Sequence, residues 1–107
     1  MEAYPKFIIE EIENEGKCLI LSKCTYHKQL ARDVNNIIGG GWFHLDINNF
    51  TFTFFGNSHD FGKAELNDIF HCVKNEKIYK DKFLVQNITR MYKFRYRTIN
   101  GEIIDLN

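Results

Sequence analysis

The chain has no apolar run that approaches the ~20 residues needed to span a membrane. Its opening, MEAYPKFIIEEIE, is acidic and lacks the basic-then-apolar order of a secretory signal. Neither sign of charge is in excess: fourteen Lys and Arg balance fourteen Asp and Glu. That balance argues against a polycation built for nucleic acid or an anionic membrane surface. Only three cysteines are present, Cys18, Cys24 and Cys72, widely spaced and with no C-x-x-C pair. They read as reduced thiols of a cytoplasmic protein rather than as a disulfide framework. The four histidines, His27, His44, His59 and His71, never fall at H-x-x-x-H spacing, so nothing supports a zinc site. Neither a Walker loop nor a G-x-S-x-G elbow occurs. His71-Cys72 matches the opening of a cysteine-dependent phosphatase loop, but Ile78 stands where that loop needs its arginine.

What is present suffices for one domain over residues 1–107, with 44% hydrophobic residues including ten Phe and five Tyr. Phe7 to Ile12 and Lys17 to Leu21 are short apolar runs on either side of a Glu13–Gly16 turn, an N-terminal hairpin. From His27, the apolar residues Leu30, Ala31, Val34, Ile37 and Ile38 fall at helical spacing. The pattern predicts a helix, opened by Thr25 and stopped by the glycines at 39–41. Phe43, Leu45 and Ile47 alternate with polar residues, as do Phe50, Phe52 and Phe54. With a turn at Asn48-Asn49, the two runs pair Ile47 with Phe50, Leu45 with Phe52 and Phe43 with Phe54.

A second helix is expected from about Gly62, with Leu66, Ile69, Phe70 and Val73 as its stripe and Ser58 or Asp60 as its cap. Lys82 to Val85 and Met91 to Thr98 read as strands, and Asn100-Gly101 turns the chain into a final strand at 102–104. Lys93, Arg95 and Arg97 form the outer face of one of these strands, a solvated edge or a docking patch. The fold class expected is α+β: a largely antiparallel, mixed sheet with two helices packed on it.

One stretch carries chemistry. Gly56 to Gly62 ends a strand in small and polar residues just before a helix, where backbone N–H groups can hold an anion. The plainer reading is an ordinary turn in which Ser58 and Asp60 satisfy the helix's own N–H groups.

The triple glycine 39–41, the hairpin behind it and the string F-G-x-S-x-x-F-G-x-A over Phe55 to Ala64 resemble the Janus/phosphohistidine phosphatase family. That family shows the triple glycine, a hairpin of this length and Tyr-Gly-x-Ser-x-x-Tyr-Gly-x-Ala. Tyr26-His27 is similar to the family's Tyr-His, whose histidine is the catalytic base, and Lys17 falls where the family carries an active-site lysine. The resemblance implies metal-independent, cofactor-free hydrolysis of phosphohistidine, in a protein or as a small phosphoramidate. His27 would be the general base, Lys17 a nearby cation, and Ser58, His59, Asp60, Phe61 and Gly62 the phosphate cradle. Asp60 replaces a small apolar residue of that pattern, and Trp42 replaces a common arginine. These two positions keep a second expectation open, a non-catalytic domain that binds an anionic ligand or protein partner in the same cleft.

Overall fold

The protein, seen as a computed structural model that describes residues 3–80 and 92–107, is built on one mixed seven-stranded sheet. The strands are β1 (Tyr4–Ile12), β2 (Gly16–Cys24), β3 (Ile37–Asp46), β4 (Thr51–Phe55), β5 (Ile78–Lys80), β6 (Lys93–Arg97) and β7 (Ile103–Asp105). Their order across the sheet is β5-β2-β1-β3-β4-β6-β7. The central pairs β2-β1, β1-β3 and β3-β4 are antiparallel, whereas β5 joins β2 and β6 joins β4 in parallel.

Two expected hairpins form, both longer or looser than the residue pattern suggests. In the first, Asn14 and Gly16 take positive φ and close a turn that pairs Ile12 with Gly16. In the second, Phe43 faces Phe54 and Leu45 faces Phe52, as the alternation requires. Pairing stops at Asp46–Thr51, so the turn holds four residues rather than two. The Asp46 carboxylate accepts from the Asn49 backbone N–H and side-chain amide, and Phe50 takes φ of 51°. Ile47 is therefore exposed, and Phe50, no longer its cross-strand partner, lies half in solvent with its ring edge-on to Tyr92. The strand reading at Lys82 to Val85 lies outside the described residues.

The expectation of two helices is wrong. One α-helix is present among the described residues, α1 (Leu66–Lys74). The segment expected as the first helix forms two short 3₁₀ turns, His27–Leu30 and Val34–Asn36. The Gln29 side-chain oxygen accepts the N–H groups of Thr25 and Tyr26. Glu10, buried on β1, accepts those of Arg32 at 2.9 Å and Asp33 at 3.0 Å. A helical ladder through this stretch would have to give up that carboxylate. The three glycines, expected to stop a helix, run through the middle of β3 instead. A Cβ at Gly39 would lie 2.7 Å from Ala64 Cα, and one at Gly41 2.7 Å from both the Phe55 oxygen and the Phe7 ring. Close approach explains them better than termination does.

Helix α1 starts at Leu66 with Glu65 before it, and neither Ser58 nor Asp60 caps it. Ile69, Cys72 and Val73 enter the core, with Leu66 packed beside them, while Phe70 is left exposed. The core lies between α1 and one face of the sheet, where Phe7, Ile9, Leu19, Leu21, Phe43, Phe52, Phe54 and Tyr96 converge. β6 is not an edge: Arg95 pairs with Thr53 on one side and Asp105 on the other.

Candidate active site

The opposite face of the sheet holds a cleft of about 450 Å³ where β1, β3, the chain after β2 and the 58–62 turn meet. His27 stands in its floor with 7% of its surface exposed. Its Nε2 lies 2.8 Å from the Gly41 carbonyl oxygen. That oxygen only accepts, so Nε2 carries the proton and Nδ1 is left as the basic nitrogen. Among the described residues no buried side-chain nitrogen or oxygen lacks a partner. Nδ1 has no hydrogen-bond partner among the described residues and is not one of those buried atoms, so solvent reaches it. Burial pushes the imidazole pKa below its ordinary value of 6.5, the Gly41 hydrogen bond pulls it up, and Lys6 pushes it further down. The ring is therefore neutral at pH 7 and fixed in one tautomer.

Gly40 explains how His27 meets the turn. A Cβ there would lie 3.1 Å from His27 Cδ2 and 3.3 Å from Ser58 Cβ, so both side chains close over a position that has none. The turn docks on the same residue: Gly40 N–H donates to the Gly62 oxygen at 3.1 Å, and Ala64 N–H donates to the Gly40 oxygen at 3.3 Å. Beyond the end of β4, the 58–64 segment takes its place beside β3.

The turn is tied to itself more tightly than a five-amide cradle would allow. Ser58 N–H donates to the Gly62 oxygen, Gly62 N–H to the Ser58 oxygen, and Phe61 N–H to Ser58 Oγ at 3.2 Å. The expectation that amides from Ser58 to Gly62 converge on an anion is thus corrected, because three of them are already used. Only the N–H groups of His59 and Asp60 lack a partner among the described residues, and the side chains of both residues line the cleft. Two successive free amides are the minimum from which a turn can build an anion-binding concavity.

Lys17 is not in the cleft. It is the second residue of β2 and makes a 2.7 Å ion pair with Asp68 on α1, while His27 follows the far end of that strand. Seven residue-to-residue steps, about 23 Å at ~3.3 Å each, take the strand from Lys17 to Cys24 at that end. The cation in the cleft is Lys6, which the residue pattern gave no reason to choose. Its ammonium donates to the Thr25 carbonyl and lies 5.0 Å from the centre of the Trp42 ring. Trp42 also meets the His27 ring edge-on, with centroids 6.4 Å apart. The indole thus walls both the base and the cation. Lys6 precedes the buried run 7–9 and pairs across the strands with Trp42, a placement visible only once β1 and β3 are in register.

Among the described residues, no group of three or more His, Cys, Asp or Glu side chains is placed to hold a metal ion. No described helix is long and apolar enough to cross a membrane. All three cysteines are free and buried. Set beside known proteins, the chain matches no family model and no curated protein.

Proposed function

We propose that the chain is a hydrolase of the phosphohistidine phosphatase kind, acting on a phosphoramidate P–N bond with His27 as general base. The observation that carries this reading is the meeting of His27 and Ser58 over Gly40, which brings a neutral imidazole against the turn that carries two free amides. Water bound against Nδ1 loses a proton to the ring as its oxygen attacks phosphorus. The P–N bond breaks, and the proton held on His27 is then available to the departing nitrogen. The N–H groups of His59 and Asp60 and the Lys6 ammonium face the charge that grows on the phosphoryl oxygens. The substrate is a phosphohistidine side chain of another protein or a small phosphoramidate, and the buried free thiols accord with a cytoplasmic setting.

The exposed Asp60 side chain at the mouth of the cleft supports a second reading, a domain that holds an anionic ligand without turning it over. Incubation with a phosphohistidine peptide, beside His27→Ala, separates the two. Turnover lost in the variant supports hydrolysis. No turnover by either protein, or equal turnover by both, removes the catalytic reading, and retained affinity for the peptide then supports the second.

A further inference from the structure

A second cavity, of about 490 Å³, lies next to the cleft and shares Asn57 with it. Its walls are the Phe55 and Tyr96 rings, and it carries two cations. The Arg97 guanidinium lies 4.4 Å from the centre of the Phe55 ring, and the Lys63 ammonium 5.6 Å from that of Tyr96. Among the described residues no carboxylate side chain lines this cavity. Neither Arg97 nor Lys63 forms an ion pair with a described residue, although the chain as a whole is electrically neutral. Two cations without a carboxylate partner among the described residues are thus concentrated in a groove that shares Asn57 with the cleft of the candidate base. Ile99, 98% exposed, forms an apolar lip at its edge.

We propose that this groove binds an acidic, partly apolar polypeptide segment, the stretch flanking the residue presented to the cleft; the flanking assignment rests on the phosphohydrolase reading above. Charge complementarity selects an acidic occupant, and the lip and ring edges select one with apolar side chains. A nucleic acid is a poorer match. The ring faces that bases would stack on are already covered by the protein's own Arg97 and Lys63, and two cations release few counterions. In an extended chain successive residues advance ~3.3 Å, so a peptide passing Asn57 brings its next few side chains into the groove.

The test is a fluorescence-anisotropy titration of the full chain with a labelled peptide alternating glutamate and leucine, beside the lysine–leucine counterpart and a single-stranded oligonucleotide. The acidic peptide is expected to bind best, and Lys63→Gln with Arg97→Gln together to weaken it about tenfold or more, each removing a charge-assisted contact. Ile99→Glu, at a fully exposed position that cannot disturb the core, is expected to weaken it as well. His27→Ala is expected to leave binding of this unphosphorylated peptide unchanged. Preserved acidic-peptide binding by a protein that fails to turn over the phosphohistidine peptide would therefore overturn only the phosphohydrolase reading. Equal binding of both peptides, tighter binding of the oligonucleotide, or indifference to all three groove substitutions would overturn the groove assignment.

Discussion

Lys6 and Trp42 are direct cross-strand partners on β1 and β3, and the lysine ammonium rests 5.0 Å from the centre of the indole. The pair places a held cation beside a neutral histidine. Replacing Lys6 by Gln should therefore lower phosphoramidate turnover about a hundredfold, the scale of losing one charge-stabilising donor. Lys17→Gln should leave turnover unchanged, because Lys17 serves Asp68 at the other end of β2. Steady-state kinetics of the two variants would check this, and the reverse order would return the catalytic cation to Lys17.

Gly40→Ala should damage the fold and the candidate site together, because its new methyl would push on both His27 and Ser58. The new Cβ would meet the Phe7 carbonyl oxygen at 2.7 Å, which is backbone and cannot swing aside. We expect a loss of about 2–3 kcal/mol in urea unfolding, with loss of turnover in whatever fraction remains folded. Gly16→Asn is the control, since nothing lies within 4 Å of its Cβ position and Asn tolerates the φ of 81° there.

If His27 is the general base, stability and turnover should depend on pH in the same direction. Its folded pKa lies below the unfolded value of 6.5, so the unfolded chain binds the proton first. The stability contributed by the neutral ring is full above 6.5 and declines as pH falls through 6.5 toward the folded pKa. The acid limb of kcat/KM should have its midpoint below 6.5. His27→Gln, whose amide can still donate to the Gly41 carbonyl, should flatten this part of the stability profile in thermal unfolding at stepped pH.

Glu10 is expected to hold the whole segment that carries His27. Its carboxylate, 1% exposed, accepts the N–H groups of both Arg32 and Asp33. Glu10→Ala strands those donors and should cost about 3 kcal/mol, with faster hydrogen exchange across residues 27–36. An unchanged exchange rate there would mean that the segment is anchored some other way.

The parts of the fold legible from the chain are those in which neighbours in sequence decide the outcome. Alternation of Phe43 and Leu45 against Phe52 and Phe54 specifies the register of β3 and β4, because a slip by one residue would turn all four outward. The segment after Thr25 was not legible for the opposite reason. Leu30, Ala31 and Val34 do follow a helical period, but Glu10, over twenty positions upstream, takes the amides that a helix would need. The glycines at 39–41 were misread because what requires them comes from distant segments: Phe7, His27, Phe55 and Ala64. At the site, His27 and the 58–62 turn stood out only through the resemblance carried by Tyr26-His27 and by Phe55 to Ala64, since spacing alone favours a surface histidine and an ordinary turn. Lys6 did not stand out, since a lysine ahead of an apolar strand looks like any solvated end until Trp42 comes to lie against it.

The margin of the sheet at β7 bears on how copies of this chain meet. Ile103–Asp105 is three residues long, and the chain then turns Leu106 inward, where its N–H donates to the Phe94 oxygen. Glu102 and Asp105 both stand exposed along that short border. An incoming strand from a second molecule would find few open backbone groups and two carboxylates. Crowded copies are thus discouraged from zipping their sheets together at this end, and the brevity of the last strand works as a colloidal safeguard.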